Sequence, residues 1–577
     1  MISAVTMSHV FTLFLLLGAL LPTVALSATN GTPPPIVYTI AGSDSGGGAG
    51  IQADLHAIHN MGCHGCSAIT CLTAQNSVGV TGVHAPPPSF LRDQLDALLS
   101  DLPPLAIKIG MLGNRELAEE VGSFLQKIKE NKTKKVWIVL DPVMISTSGH
   151  RLIEEDAQEA MIQHVFPHSD LLTPNLYEAE NLLGRKISNA QDVENAARDL
   201  LDLGVPAVLI KGGHISTENT IDGADRTFAQ DYFLSTSENS GNAEARLCDG
   251  NRGVWLRSTW FHSEHTHGTG CTLSSAVASA LALGEMQRSG TDRAGAYSSI
   301  GLIDACCLAK SYVTAGISQG VQLGQGPGPV AQTQFPSSFA IFSAIVQEPA
   351  QSTKPFKPMA VFGSSRNEYN LPMLGRIYPI VSDLEWVEKL CKLDGITDVQ
   401  LRIKDEDNKE RIEEIVQQCQ SICEKAGIRL WVNDYWEAAA KANCFGVHVG
   451  QEDLVKCLGE GGLSVLRKKN MALGISTHSF GELAVALGLK PSYISLGPVF
   501  TTSSKKVGFD PQGLDTVRKW RQLVPPNVPL VAIGGIGDET VAASVRKAGA
   551  DCIAVIGAVT KHSDPQRSIT SLNEAMV

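Results

Sequence analysis

Short apolar runs recur along the chain, separated by longer stretches in which apolar and polar positions follow helical spacing. In the first half the runs fall at 36–40, 106–110, 136–141, 170–173 and 207–210. Strands alternating with helical segments predict a mainly parallel sheet with helices covering its faces. Residues 51–61 read as one such helix, entered from a Gly-rich turn and leading into a strand. In the second half, runs begin at Arg376, Asp398, Ile428, Gly446, Met471, Tyr493, Leu530 and Cys552. Eight starts at intervals of roughly 25 residues predict a compact (β/α)8, or TIM, barrel. Between the halves, 331–374 is rich in Ser, Gln and Pro and reads as a linker, with 339–346 apolar enough to pack on a neighbouring surface. The expected fold class is therefore α/β, a sheet domain over 36–330 followed by a barrel over 375–577. Ahead of both, 10–21 is an apolar block shorter than the roughly 20 residues of a membrane span. Residues 1–30 read as a targeting segment, although no Lys or Arg precedes Arg92 to give it a positive leading region.

Composition narrows the function classes. Lys and Arg number 47 against 59 Asp and Glu, a formal charge of −12, which argues against nucleic acid as a partner because phosphate backbones need a basic face. With 43% hydrophobic and 18% charged residues the chain is globular, and 54 glycines beside 6% aromatics fit an α/β enzyme. Thirteen cysteines are too sparse for a disulfide framework and read as reduced thiols. His56, His59, Cys63 and Cys66 fall within eleven residues. They lie on a helix running into a strand rather than on separate knuckles, which argues against zinc.

Polar motifs stand at the ends of the apolar runs, where open α/β sheets place ligands. The first run enters the turn GSDSGGGAG (42–50), which is neither a Walker A loop nor a dinucleotide fingerprint. Asp141-Pro142, the pair Asn175 and Glu178, and Lys211-Gly212-Gly213-His214 each follow a run. His267-Gly268-Thr269-Gly270-Cys271 opens a small-residue helix, whose free amides can hold an anion and whose dipole is expected to lower the pKa of a first-turn cysteine. Singly, each is an ordinary loop; the set outweighs that reading.

These segments resemble the hydroxymethylpyrimidine kinase and phosphomethylpyrimidine kinase family of the ribokinase superfamily over nearly all of 36–330. The resemblance is carried by TIAGSDSGGGAGIQADL (39–55), AITCLTAQNSVGV (68–80), IKIGML (107–112), DPVM (141–144), TPNLYEAE (173–180), KGGH (211–214) and HGTGCTLSSA (267–276). It implies a ribokinase-like sheet domain that uses ATP and Mg²⁺ to phosphorylate 4-amino-5-hydroxymethyl-2-methylpyrimidine and then its monophosphate. It further implies that Gln75 hydrogen-bonds the pyrimidine within the Gly42 loop, that Asn175 and Glu178 organise Mg²⁺ through water and phosphate oxygens, and that Lys211 offsets triphosphate charge. Most ribokinase relatives carry an Asp base where this chain has Cys271, and that cysteine is typical of the pyrimidine kinases. Cys271 is expected to take the hydroxymethyl proton while amides from Gly268 through Gly270 to Cys271 stabilise the transferring phosphoryl group. Residues 216–259 are longer and more polar than the family pattern and are expected to form an exposed insertion.

In the barrel half, the second strand ends in Gln400, Arg402 and Lys404, whose alternation puts them on one side to grip a diphosphate. Asp434 and Asp453, beyond neighbouring strands, suit Mg²⁺ on a phosphate-bearing ligand. Gly534-Gly535 and Gly557-Ala558 end strands seven and eight, where barrels hold phosphate on backbone amides. Two anion sites imply two phosphorylated ligands. This half resembles thiamine-phosphate synthase over its whole length, through QLRIK (400–404), ND (433–434), GVHVGQEDL (446–454), GISTHS (474–479), SLGPVFTTSSKK (495–506) and VAIGGI (531–536). The resemblance implies that Gln400, Arg402, Lys404 and Asn433 bind the diphosphate of a pyrimidine substrate and that Asp434 and Asp453 bind Mg²⁺. Ser476 and Lys505 would contact the departing diphosphate, and Thr502, Ser504, Gly535 and the backbone of Val555 and Ile556 would hold a thiazole phosphate. Thr501 replaces the family's usual Pro and Phe445 its usual Asp, neither at a position that carries chemistry. Diphosphate loss would leave a pyrimidine-methyl cation for the thiazole nitrogen to capture, so leaving-group stabilisation is the main demand on the protein.

The combined expectation is a bifunctional enzyme of thiamine biosynthesis, the first body making the diphosphate that the second consumes. A vitamin B6-type kinase fused to a thiazole tautomerase-like barrel fits less well, because QxRxK, Asp434 and Asp453 are all present. A non-catalytic ligand sensor predicts erosion of Lys211, Cys271, Asp434 or Lys505, and none is eroded. Expected partners are the pyrimidine and its phosphates, thiazole phosphate and ATP, with no nucleic acid; a homo-oligomer is compatible with the sequence but not specified by it. Thiol chemistry at Cys271 and the resemblance to plant and algal thiamine enzymes favour plastid or cytoplasm.

Overall fold

A computed structural model describes residues 33–131, 134–144, 155–212, 228–236, 253–289, 300–347, 374–404, 406, 408–502 and 510–577. Its ten-stranded sheet takes β1 (Ile36–Asp44), β2 (His64–Gln75), β3 (Val80–His84), β4 (Ala106–Ile109), β5 (Trp137–Leu140), β6 (Leu171–Leu172), β7 (Ala207–Lys211), β8 (Phe228–Ser235), β9 (Val254–Thr259) and β10 (Ala344–Val346). Their order is β10-β9-β8-β7-β6-β5-β4-β1-β2-β3. From β2 through β7 the pairs are parallel, while β3 at one edge and β8, β9 and β10 at the other pair antiparallel. The central strands are apolar on both faces because helices cover both. Helix Gly50–Asn60 turns Ile51, Ala53, Asp54, Ala57 and Ile58 inward, and it packs on helix Thr269–Ser289.

One expectation is revised here. The stretch 216–259 is not simply an exposed insertion: its described parts are β8 and β9, with Tyr232, Phe233, Leu234, Val254, Trp255 and Leu256 all buried. Two short apolar runs inside a polar stretch continue the sheet, and the remainder lies outside the described residues. Within 331–374, residues 331–347 and 374 are described; 344–346 form β10 and Phe342 and Ile345 are buried, as the apolar character of 339–346 anticipates.

The second body is a closed barrel of parallel strands: β11 (Ile377–Val381), β12 (Asp398–Leu401), β13 (Arg429–Asn433), β14 (Gly446–Val449), β15 (Ala472–Thr477), β16 (Tyr493–Leu496), β17 (Leu530–Ile533) and β18 (Cys552–Val555). Closure is made by β18 against β11, Ile377 opposite Ile553. Tyr378, Trp431 and Tyr493 fill the interior edge to face, with centroid separations of 6.0, 5.7 and 5.0 Å. Such a filled core leaves ligands the mouth at the C-terminal strand ends. Among the described residues no helix is long and apolar enough to cross a membrane.

Candidate active sites

The end of β1 organises the first site. Asp44 accepts hydrogen bonds from the N–H of Gly46 (2.8 Å), Gly48 (3.1 Å) and Ala49 (2.9 Å), and pairs with His267 Nε2 at 3.2 Å. Burial opposes its charge, but His267 and the amides of Gly46 and Ala49 outweigh that and hold the carboxyl below its ordinary range. The glycine loop is thereby fastened to the HGTG turn. The two touch backbone to backbone: a Cβ on Gly268, whose φ is +78°, would lie 1.9 Å from the Gly48 carbonyl oxygen. Only glycine fits there.

Gly42, Gln75, Asn175, Glu178, Lys211, Gly268, Gly270 and Cys271 all line one cavity of about 820 Å³, within the size range of small-ligand sites. Asn175 and Glu178 form a capping box at helix Leu176–Leu183, each side chain accepting the other's backbone N–H, at 2.8 and 2.7 Å. Lys211 ends β7 with Nζ 2.7 Å from Asp141 Oδ1 and 3.8 Å from Glu178 Oε2. Burial pushes the Glu178 carboxyl up to about 7, with Lys211 opposing and Asp141 adding to the rise. Gly270 lies over this pair, since a Cβ there would be 3.3 Å from Lys211 Nζ and 3.4 Å from Asp141 Oδ2.

Cys271 is placed in the first turn of helix Thr269–Ser289, as the sequence predicts, but its expected acidity is not found. Burial pushes the thiol up to about 11; Lys108 opposes this while Asp54 and Asp141 reinforce it. Desolvation and two nearby carboxylates outweigh the helix terminus. Asp44, Lys108, Asp231 and Lys310 also line the cavity, beside the strand-end Asp141 that the sequence marks. Asp44 and Lys108 stand within the GSDSGGGAG and IKIGML segments, which carry a local signal for both. Asp231 lies in the supposed insertion, where it accepts from Gly212 N–H at 3.0 Å and Lys310 Nζ at 2.7 Å. The His56, His59, Cys63, Cys66 group is dispersed, the histidines exposed and the cysteines buried, with Cys63 donating to the Ser279 carbonyl.

At the barrel mouth, Gln400 is buried at the end of β12, Arg402 half-buried, and Lys404 exposed, so the three climb from interior to rim. Gln400 hydrogen-bonds the Tyr378 hydroxyl, and Arg402 N–H continues the ladder to Val381 O at 2.8 Å. Asn433 closes β13 and donates to the Asp434 carboxylate. Asp434 has φ +64°, in the left-handed region that Asp adopts more readily than most side chains. Its N–H is tied to His448 O at 2.8 Å, and Gly450 N–H reaches Oδ1 at 3.4 Å. Burial and the facing Asp453, in the first turn of helix Gln451–Gly459, push the Asp434 carboxyl up to about 6 while Arg402 pulls it down.

Ser476 on β15 lies 2.9 Å from His448 Nε2, and His448 Nδ1 is 2.8 Å from the Tyr493 hydroxyl, so a polar chain absent from the sequence reading runs from the core to the mouth. Phe500 N–H donates to Gly534 O at 3.1 Å, and a Cβ on Gly535 would lie 2.8 Å from the Thr501 carbonyl oxygen, so the segment ending at Thr502 packs on the Gly534-Gly535 turn through Phe500 and Thr501. Val555 ends β18, and Ile556 opens the helical turn Gly557–Thr560 beside it. Ser504 and Lys505 lie outside the described residues.

Two family models match the chain: phosphomethylpyrimidine kinase over residues 44–331 and thiamine monophosphate synthase over residues 377–559. A probable thiamine biosynthetic bifunctional enzyme, chloroplastic, of Oryza sativa subsp. japonica is 34% identical over 538 residues, covering 91% of this chain and 85% of that protein. The corresponding chloroplastic bifunctional enzyme of Arabidopsis thaliana is 32% identical, covering 87% of this chain and 85% of its own length. A hydroxymethylpyrimidine/phosphomethylpyrimidine kinase of Synechococcus elongatus is 40% identical over 51% of this chain and 96% of its own.

Proposed function

The chain belongs to the bifunctional enzymes of thiamine biosynthesis that join a phosphomethylpyrimidine kinase to a thiamine monophosphate synthase, and from that premise we propose which residues carry each step. It phosphorylates hydroxymethylpyrimidine and its monophosphate with ATP, then condenses the diphosphate with thiazole phosphate to give thiamine phosphate and diphosphate. We assign the kinase to 36–330, the synthase to 375–577, and the connection to 331–374, whose strand at 344–346 completes the kinase sheet. The observation that carries this reading is convergence: the kinase motifs meet in one cavity and the described synthase motifs at one barrel mouth.

In the kinase, Gln75 and the Gly42 loop hold the pyrimidine, and the amides of Gly268 to Cys271 face the transferring phosphoryl group. Lys211 can exchange Asp141 for phosphate oxygens, placing its charge where negative charge is transferred. The Cys271 thiolate takes the hydroxymethyl proton. Asn175 and Glu178 fit a water-mediated Mg²⁺ site, because Glu178 is a buried carboxylate that Lys211 alone does not compensate. At the barrel mouth, Asp434 facing Asp453 is likewise a donor pair suited to Mg²⁺, which completes its shell with water and phosphate oxygens. At both sites the ion would supply charge neutralisation on phosphate oxygens.

In the synthase, Gln400, Arg402, Lys404 and Asn433 orient the pyrimidine diphosphate, and Ser476 and Lys505 steady it as it departs. Thr502, Ser504, Gly535 and the Val555–Ile556 backbone hold the thiazole phosphate, directing its nitrogen at the methylene carbon. The chloroplastic relatives and the need for a reduced Cys271 support a plastid location for this chain.

Purified protein supplied with ATP, Mg²⁺, hydroxymethylpyrimidine and thiazole phosphate is expected to form thiamine phosphate; absence of product would overturn the reading. Cys271→Ala is expected to lower synthesis from the alcohol by about 10²-fold or more and to leave synthesis from added pyrimidine diphosphate unchanged.

A further inference from the structure

We propose that Cys391 and Cys423 close a reversible disulfide at the foot of the barrel, a bond that braces the strand leading to Gln400, Arg402 and Lys404 without reaching the mouth.

The two cysteines come from consecutive barrel helices that pack on each other, Leu384–Leu390 and Lys409–Ala426. Cys391 caps the C-terminus of the first, its N–H donating to the carbonyls of Val387 and Lys389. Cys423 lies in the last turn of the second, on the inward face it shares with Ile412, Val416 and Cys419. The helices of such a barrel all run in one direction, so neighbouring C-termini stand side by side. Val387 precedes Cys391 by one helical turn, as Cys419 precedes Cys423, and this matching of steps brings Cys391 to Cys423 rather than to Cys419. The outcome is a sulfur–sulfur separation of 3.8 Å between residues 32 apart in sequence. Disulfides form where the side chains already face each other, because the short bond tolerates little backbone displacement. The distance left to close, roughly 2 Å, suits a side-chain rotation at a helix end.

Exposure divides the roles. Cys423 is wholly buried, whereas Cys391 is partly open to solvent. The Cys423 thiol donates to the Cys391 sulfur, which holds the Cys391 thiol below its ordinary range, while that bond and burial push Cys423 up. Cys391 is therefore the nucleophile that meets an oxidant, and Cys423 the residue that completes the bond. With a small-molecule disulfide such as oxidised glutathione, the Cys391 thiolate attacks one sulfur and the first glutathione leaves as a thiolate. Cys423 then gives its proton to solvent and attacks the Cys391 sulfur, expelling the second glutathione. Two protein thiols become one disulfide as one glutathione disulfide becomes two thiols, so electrons and protons balance. Burial of Cys423 opposes the second step, and its enforced proximity to the Cys391 sulfur offsets that cost.

Both cysteines stand just ahead of a strand, Cys391 before β12 and Cys423 before β13, at the barrel face opposite the mouth. The ring closed by the bond contains all of β12 and the residues that follow it, Arg402 and Lys404 among them. A cross-link of this span restricts the unfolded chain and so favours the folded barrel.

The full-length protein is equilibrated with oxidised glutathione near about pH 8, where thiolates are populated, then quenched with iodoacetamide and digested for peptide mass spectrometry. The expected product is a linked Cys391–Cys423 peptide pair that dithiothreitol removes. Oxidation is expected to raise the melting temperature by several degrees in the wild type and not in Cys391→Ser or Cys423→Ala, with synthesis from added pyrimidine diphosphate and thiazole phosphate unchanged. A Cys391–Cys419 link, a lasting glutathione adduct on Cys391, or alkylation of both cysteines would overturn the bond. A linked pair with no rise in melting temperature, or with a slower synthase, would overturn its bracing role.

Discussion

Lys211 is caught between two carboxylates, Asp141 at 2.7 Å and Glu178 at 3.8 Å, both nearly inaccessible to solvent. Its removal has two consequences that can be separated. Lys211→Met should cut kinase kcat by about 10²- to 10³-fold, the usual cost of deleting a charge-stabilising donor at a reacting centre. It should also lower the melting temperature, because Asp141 and Glu178 lose their cation. Lys211→Arg should restore the melting temperature more than the rate, since a planar guanidinium cannot occupy the place of a compact ammonium. Steady-state kinetics and thermal melts on the two variants check this. Lys211 was visible in sequence because it ends an apolar strand and precedes glycines. Asp231, which holds the next residue's N–H and so fixes the turn, was not visible. Its partner Lys310 is far away in sequence, and only the antiparallel pairing of β8 on β7, with Asp231 opposite Lys211, brings it to the site.

At the scale of elements, the kinase cavity depends on two turns meeting through backbone alone. Gly268→Ala would combine a left-handed φ with a Cβ driven into the Gly48 carbonyl, whereas Gly47, φ +78°, has nothing within 4 Å of an added Cβ. Gly47→Ala should therefore cost only the conformational penalty of about 1–2 kcal/mol, and Gly268→Ala clearly more, with kinase activity lost and synthase activity kept. Chemical denaturation of the two variants, alongside separate assays of the two reactions, measures the difference; equal destabilisation would remove the contact from the account. The barrel strands were legible nearly to the residue because each is a short apolar run at regular spacing. The antiparallel strands β8, β9 and β10 were harder to read. Their apolar runs are embedded in polar sequence, and β10 follows a Pro-rich stretch, so local pattern did not reveal that one sheet joins them. The acidity of Cys271 was misjudged for a related reason: helix position is a local property, while the burial and the carboxylates that outweigh it come from β1, β4, β5 and their connections.

At the scale of the whole molecule, the two catalytic bodies share one apolar core. Phe480, at the start of barrel helix Phe480–Leu489, packs against Phe335 and Phe342 of the segment leading to β10, with centroids 6.3 and 6.4 Å apart, and against Trp520 behind it at 5.1 Å. Phe339 N–H donates to Gln522 O at 2.9 Å. At the centre of this junction Asp304, at the start of kinase helix Leu302–Ser318, accepts from barrel Gly481 N–H at 2.5 Å and from Gly301 N–H at 3.1 Å. Burial pushes this carboxyl up to about 6, with the amides of Gly481 and Gly301 and the Ser479 hydroxyl opposing, and with Glu482 adding to the rise. An unfolded aspartate titrates near about 3.9, so the folded chain holds the proton more tightly. Between the two values the unfolded chain sheds it first, and stability falls as pH rises. The contribution of Asp304 is thus whole below about pH 4 and gone once pH has passed about 6. Asp304→Asn, which stays neutral and keeps an acceptor for Gly481, removes that dependence. Between pH 5 and pH 7 the melting temperature of the wild type should decline relative to that of the Asn variant, and parallel curves would show that Asp304 does not titrate at the junction. Because the junction belongs to both bodies, the decline should appear equally in heat inactivation of the kinase and of the synthase.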